Sequence, residues 1–392
     1  MKKNNKKYAR IRGGAGLTIV VPLLTMWVLS GWEQCPLSGL GFGEATLNAE
    51  SGGRPFYLGF TSWASGPTPQ AVSDTYDFIS RNADVLTEHI EGVPWSEALN
   101  DKPFAEGFQK NIEQRLKNRL KGLKLVLAVS PLNMGRNGLA SYFGTQENLP
   151  LPKEFEGKSF SDPIVKKAYL NYCQRMVDNF HPDYFIIGIE TNELLRNTPQ
   201  EWDHFVEFSK YMHGELKKKF PRLPMAQSVT LHVLLDKKLP NLEQYQKRIE
   251  TFISDYDFNA ISFYPFFMGL HYYDEFVVAL RAIRQFGEKP IAISETGHPA
   301  EPIVAKTWNL NIPSSPEEQN EFIKALLNQA QADKYLFVTQ FACRDYDELW
   351  KRFPEEVKDL GRLWRDTGLV DENNNKRLAC QTWVSVLAKK KT

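Results

Sequence analysis

The chain has 392 residues, of which 42% are hydrophobic and 24% charged; this is ordinary globular composition with enough apolar mass for a sizeable core. A net charge of +1 leaves no electrostatic footprint for nucleic acid, so no nucleic-acid partner is expected. Cys35, Cys173, Cys343 and Cys380 lie too far apart for metal-ligand spacing; no metal and no cofactor are predicted, and buried thiols are expected, with a Cys343–Cys380 disulfide permitted in an oxidising compartment.

In chain order, the basic residues Lys2, Lys3, Lys6, Lys7, Arg10 and Arg12 precede an apolar run from Leu17 to Leu29. That pattern predicts a signal peptide or N-terminal membrane anchor over 1–32, with a tether through 17–32 as the anchored form. The chain is therefore expected to be exported: secreted, periplasmic, or held at the outer face of a membrane. A linker rich in Gly and small residues occupies 33–53. From 54 to 392 short apolar runs alternate with long amphipathic segments, the signature of βαβ units.

The predicted strands are Phe56–Phe60, Ala83–Ile90, Leu123–Val129, Tyr184–Glu190, Met225–Thr230, Phe258–Tyr264, Pro290–Glu295 and Tyr335–Phe341. Between them, helices are predicted over Ala71–Arg81, Phe104–Leu120, Pro163–Asn179, Pro199–Lys219, Leu242–Ser254, Asp274–Phe286 and Pro316–Ala332, before a last helix near the C-terminus. Thr198-Pro199 and Ser315-Pro316 place Pro at a first helical turn. Eight units of this kind close as an α/β (β/α)8 TIM barrel. No G-x-G-x-x-G comes after any strand, so the open dinucleotide-binding alternative has no support. The segment from Ser130 to Asp162 is too long for an ordinary connection and is expected at the C-terminal face, where barrel loops build active sites.

Several strands end in polar residues: Glu88-His89-Ile90-Glu91 on the second, Glu190-Thr191-Asn192-Glu193 on the fourth, Tyr264 on the sixth and Ser294-Glu295-Thr296-Gly297-His298 on the seventh. Folding does not require carboxylates at strand tips. Two of them on separate strands suit hydrolysis of a glycosidic bond, one attacking the anomeric carbon and one protonating the leaving oxygen. Strand parity puts Ile186, Gly188 and Glu190 on one face, and a Gly on the inner face favours Glu190. His89, Asn192, His298 and Gln340 are candidate polar contacts to a carbohydrate. Trp63, Trp95 and Trp308, with Trp350, are candidate stacking walls, because apolar faces of sugar rings lie well on indole.

Ile291-Ala-Ile-Ser-Glu-Thr-Gly-His-Pro299 resembles the seventh-strand nucleophile motif of clan A glycoside hydrolases, in the form found in endo-β-1,4-galactanases and plant-type β-1,3-glucanases. Ile187-Gly-Ile-Glu-Thr191 resembles the fourth-strand acid/base motif of some β-mannanases. The segment Gly368–Trp383 is similar to the eighth-helix ending of such enzymes. The resemblance runs over strands one to eight in order, with strong motif similarity on strands four and seven. It implies a retaining glycoside hydrolase acting on a β-linked poly- or oligosaccharide, with Glu295 as nucleophile, Glu190 as acid/base and Tyr264 bonded to the nucleophile. One departure stands out. Most of the clan has Asn before the acid/base, where this chain has Ile189; Asn192-Glu193 supplies the dipeptide three residues later, which keeps Glu193 as a rival. The same departure keeps a non-catalytic carbohydrate-binding or surface-tethered barrel as the alternative.

Overall fold

The computed structural model describes residues 53–392. The predicted export segment, its tether over 17–32 and Cys35 lie outside them. Among the described residues no helix is long and apolar enough to cross a membrane.

The strands are β1 (Tyr57–Thr61), β2 (Val85–Ile90), β3 (Lys124–Val129), β4 (Tyr184–Ile186), β5 (Met225–Ala226 and Ser228–Thr230), β6 (Asn259–Phe263), β7 (Ile291–Thr296) and β8 (Phe337–Gln340). All are parallel, and each pairs with its sequence neighbours. β1 pairs with β8, and the two halves of β5 pair separately with β4 and β6, so the ring is completed through a strand interrupted at Gln227. The barrel helices are α1 (Pro69–Asn82), α2 (Glu106–Lys117), α3 (Pro163–Phe180), α4 (Trp202–Lys219), α5 (Leu242–Ile253), α6 (Tyr273–Arg281), α7 (Pro316–Asp333) and α8 (Leu378–Leu387). This is the (β/α)8 barrel that the alternation predicts.

Helix starts obey side-chain chemistry. Ser315 accepts the Glu318 amide at 3.2 Å ahead of Pro316, and Thr68 and Asp162 cap α1 and α3 in the same way, each with Pro next in the chain; each such cap satisfies an amide that the helix cannot. Thr198 does not cap. Its hydroxyl donates to the Asn137 carbonyl, and Pro199–Glu201 forms a separate tight turn before α4.

Apolar side chains segregate into three bodies. Val85, Val126, Ile186, Ile189, Ala260 and Phe337 are among those filling the barrel interior, and the Thr87 and Thr339 hydroxyls meet there at 2.9 Å. A larger layer lies between strands and helices. A third covers part of the mouth, where an antiparallel hairpin (Ile303–Ala305 with Leu310–Ile312) and a helix over Glu355–Arg365 pack against Tyr264, Phe341 and Tyr346. Cys173, Cys343 and Cys380 are buried free thiols, so the permitted disulfide is not formed.

Side-chain parity breaks at two strand ends. On β4, Phe185 and Ile187 face the helices and Ile186 the interior; Ile189 also faces the interior, so alternation slips by one at Gly188. The parity expected from sequence, with Gly188 and Glu190 inside and Ile189 outside, is therefore corrected. A Cβ built on Gly188 would overlap the Gln227 carboxamide, whose amide nitrogen reaches outward to Ser209 and Tyr256. On β7 the register against both neighbours shifts after Ile293, leaving Ser294 as an extra residue. Such a bulge re-aims the residues beyond it: Ile291 and Ile293 face outward, yet Glu295 turns to the mouth. Gly188→Ala is expected to destabilise the fold by about 1–3 kcal/mol, the usual cost of overpacking, and to lower activity by moving the β4 end. Thermal unfolding checks the first; an unchanged melting temperature would refute the overlap.

Candidate active site

The C-terminal ends of the strands surround a cavity lined by Glu190, Glu295, His89, Glu91, Arg136 and Tyr264, among others. Its geometry begins with two backbone devices. Glu190 sits at φ 53°, left-handed and costly for a residue with a Cβ. It is held there because its amide donates to the Ser228 hydroxyl at 2.8 Å and the next amide, Thr191, donates to the Ser228 carbonyl at 2.9 Å. The β7 bulge places Glu295 across from it.

The two carboxylates belong to one chain of polar contacts. Ser262 donates to Glu190 Oε1 at 2.7 Å, and Arg136 Nη2 donates to Glu190 Oε2 at 3.3 Å. Arg136 also donates to Glu91 Oε1 at 3.0 Å. Glu91 Oε1 lies 3.0 Å from His89 Nε2, and His89 Nδ1 lies 3.1 Å from Glu295 Oε2. Tyr264 donates to Glu295 Oε1 at 2.6 Å. Glu91 thus joins the cations that touch the two strand-end acids.

Their protonation is pushed apart. Burial raises the Glu190 carboxyl, Arg136 opposes, and the charge of Glu295 adds to the rise, leaving it above the usual carboxylate range. Burial also acts upward on Glu295, but the hydrogen bond and charge of His89, with Tyr264 and Arg136, outweigh it and hold it below that range. Burial disfavours a charge on His89; hydrogen bonds to Glu295 and Glu91 overcome this and lift it to about 9. Glu91 is disfavoured as an anion by burial, yet Arg136 and His89 bring it down to about 2. One carboxyl held above the usual range beside one held below it is the pairing that acid and nucleophile roles need.

Of the residues singled out from sequence, Glu190, Glu295, His89, Tyr264 and Trp63 line the cavity. Of the others, all but Trp308, whose side chain lies outside the described residues, require correction. Glu193 is buried behind β4, paired with Arg196 at 2.6 Å and bonded to Thr230, and does not line the cavity. Asn192 spends its amide on the Thr230 backbone, accepting its N–H at 2.8 Å and donating to its carbonyl at 3.1 Å. His298 is buried among Phe276 and Phe322, with Nδ1 against the Pro299 carbonyl. Gln340 donates to the Thr367 carbonyl at 2.9 Å. Trp95 is core, its indole donating to the Ala140 carbonyl at 2.8 Å. Trp350 packs outside the cavity against the Arg362 and Arg365 guanidiniums. Trp308 lies in the turn Lys306–Trp308 that joins the two hairpin strands. In place of these, the aromatic wall consists of Trp63, Phe341, Tyr346, Trp364 and Tyr264.

Glu91, Arg136 and Ser262 were not expected. His89 and Glu91 alternate on one face of β2, a period-two signal that was readable. Arg136 comes from the long loop after β3, whose path no periodicity encodes. The carboxylates of Glu301, Asp345 and Asp366 also converge, outside the cavity, but Arg377 and Arg365 are bound among them at 2.6–3.0 Å, so their charge is met without a cation.

Glu91→Gln is expected to lower kcat/KM about tenfold, about 1.4 kcal/mol of transition-state stabilisation, and to narrow the pH profile from its alkaline side. His89 loses an anionic partner and titrates lower. Arg136 turns more fully to Glu190, which then titrates lower. A pH–rate profile with an unmoved alkaline limb would reduce Glu91 to a structural role.

A family model described as Glycosyl hydrolase family 53 matches residues 150–338, just under half of the chain. No curated protein matches it by sequence. Among solved structures, an exo-β-1,4-mannosidase from Opitutaceae bacterium strain TAV5 superposes with a TM-score of 0.59 at 12% identity, over 87% of this chain and 61% of that one. The chain thus spans under two thirds of that neighbour's length. A GH5_18 protein from Streptomyces cattleya, solved with Manβ1-4GlcNAc, gives 0.59 at 12% identity over 85% and 80%. The family 53 catalytic domain of Ignisphaera aggregans gives 0.54 at 16% identity over 84% and 95%. At these identities the superpositions establish the shared barrel. The family model marks residues 150–338 of that barrel as similar to glycosyl hydrolase family 53.

Proposed function

We propose that the chain is a retaining glycoside hydrolase that cleaves β-linked poly- or oligosaccharides by double displacement. The observation that carries this reading is a pair of carboxyl groups, from the ends of β4 and β7, in one cavity under opposite electrostatic influences. Glu295 attacks the anomeric carbon as the bond to the leaving oxygen breaks, and Glu190 gives that oxygen its proton. The negative charge passes from Glu295, now an ester, to Glu190, where Arg136 meets it. Water then attacks the anomeric carbon, Glu190 takes its proton, and Glu295 leaves as the carboxylate. Tyr264 and His89 fix Glu295 for the attack; both bond to its oxygens. The Trp63, Tyr346 and Trp364 wall suits the apolar face of a sugar.

The family 53 match, with the β-1,4-mannosidase and Manβ1-4GlcNAc neighbours, supports β-1,4-linked galactose or mannose units as the first substrates to try. Export belongs to the same proposal and rests on the basic and apolar pattern of residues 2–32 alone. The test is proton NMR of β-1,4-galacto- and manno-oligosaccharide cleavage by the wild type. The β-anomer is expected to form first. Initial release of the α-anomer would mean inversion, and sugar binding with no cleavage would favour the non-catalytic barrel.

A further inference from the structure

The cavity is not symmetric about the two acids. Glu190 and Tyr264 are its lining residues from β4 and β6, and none comes from the β5 end. From there it extends over the ends of β8, β1, β2 and β3, then runs between two helices. Tyr76 of α1 lines this arm on one side; Gln114 and Arg115 of α2, with Asn118 just beyond it, line the other, and Glu147 of the long β3 loop joins them.

A barrel need not hold polar groups of this kind idle. Among the described residues, the carboxyl of Glu147 and the amides of Gln114 and Asn118 make no side-chain hydrogen bond within the protein, although all three line the cavity. The Trp63 indole N–H, at the root of the arm, is buried and likewise unpartnered. Arg115 is the arm's cation, and it is already engaged: it is bonded to Glu88, and its Nε donates to Asn111 at 2.8 Å. Gln114, Asn118 and Glu147 are half-buried and open to the cavity, so they are free to bond whatever occupies it, while the buried Trp63 N–H gains most from a partner.

We propose that this arm is a binding subsite for an uncharged, hydroxyl-bearing sugar unit on the glycone side of the cleaved bond, with Glu147, Gln114 and Asn118 taking its hydroxyls. The assignment rests on the proposed glycosidase reading for its direction. Glu190 protonates the leaving oxygen, so the leaving group departs toward β4 and β5, away from the arm. The occupant of the arm is therefore joined to the sugar that Glu295 attacks. Burial lifts the Glu147 carboxyl to about 8, against the pull of Arg115, so it can donate to a hydroxyl as well as accept. An acidic sugar would meet Glu147, and the arm's cation, Arg115, is already bonded to Glu88.

The test is calorimetric binding to the full-length Glu295→Gln chain, which separates binding from turnover. The probes are galactose, mannose, β-1,4-galactobiose, β-1,4-mannobiose and an aldobiouronic acid. One neutral disaccharide is expected to bind at least about tenfold more tightly than its monosaccharide. Adding Gln114→Trp, or Glu147→Ala, should erase that difference while leaving monosaccharide affinity and the melting temperature unchanged. Glu147→Gln should retain part of it. An unaltered disaccharide preference in the Trp and Ala variants, preference for the acidic probe, or no binding by any probe would overturn the subsite. Disaccharide binding that depends on the arm, in a chain whose wild type cleaves nothing, would overturn the catalytic reading and leave the arm standing.

Discussion

Glu295→Gln is expected to reduce kcat by about 10⁴-fold or more, because no other group is placed to form the covalent intermediate. That loss is about 5.4 kcal/mol of transition-state stabilisation at 1.36 kcal/mol per decade. The fold should survive it. Gln has the same shape, and its carbonyl oxygen can still accept the Tyr264 hydroxyl, which lies 2.6 Å from Glu295 Oε1 in the native chain. The change in charge acts elsewhere. His89 is lifted to about 9 chiefly by its bonds to Glu295 and Glu91, and without the first of these it titrates lower. A His whose pKa is raised on folding adds stability that is full below its unfolded value and lost as pH rises through the folded one. The variant's deficit should therefore be greatest below about 6.5, down to where Glu295 itself protonates in the native protein, and should shrink as pH rises from about 6.5 to about 9. Calorimetric melting across that range, beside initial rates on the oligosaccharides, reads both effects. A Glu295→Gln protein with a substantial fraction of native turnover would remove Glu295 from the chemistry.

The barrel was legible because eight apolar runs and their amphipathic partners carry it redundantly; most predicted ends differ from the observed ones by only one or two residues. Among the strands β4 is the exception. Its ladder stops at Ile186, four residues before the predicted end at Glu190, and the reason is the slip at Gly188 beside the interruption in β5. Parity from sequence assumes an unbroken pleat. It selected Glu190 by placing Gly188 inside, whereas Glu190 reaches the mouth through a left-handed backbone after Ile189 has turned inward. A residue's position at a strand end fixes its height in the barrel and not its direction. That is why Asn192 and Gln340, at the right height, spend their amides on backbone groups, and why His298 is packed behind phenylalanines. The Ile189 departure has the same origin. In this chain the residue before Glu190 fills the barrel interior with Ile186 and Ala226 and has no access to a sugar. Arg136 touches Glu190 instead, from a loop whose course is set by tertiary contacts such as its hydrogen bonds to Glu91.

Glu190→Ala should divide substrates by their leaving groups. Glycosides with unactivated alcohol leaving groups need the proton that Glu190 supplies, and their kcat/KM is expected to fall by about 10²–10⁴-fold, the usual range for loss of general acid catalysis. Aryl glycosides with acidic phenols leave without it, so their first step should fall far less. Their second step still lacks a base to activate water, and the glycosyl ester on Glu295 should accumulate as a burst of phenol. Azide needs no base. It is small enough for the space vacated by the carboxyl, beside Arg136, and should restore turnover and release a β-glycosyl azide, the product of two inversions. The pH dependence supplies an independent sign. Burial and the charge of Glu295 keep the Glu190 proton in place above the ordinary carboxylate range, so wild-type activity falls on the alkaline side as that proton is lost. With Ala at 190 that limb should disappear for aryl substrates, while the acidic limb, set by Glu295, remains. Retention of the alkaline limb, or azide with no effect on rate or product, would assign the acid/base role to another group.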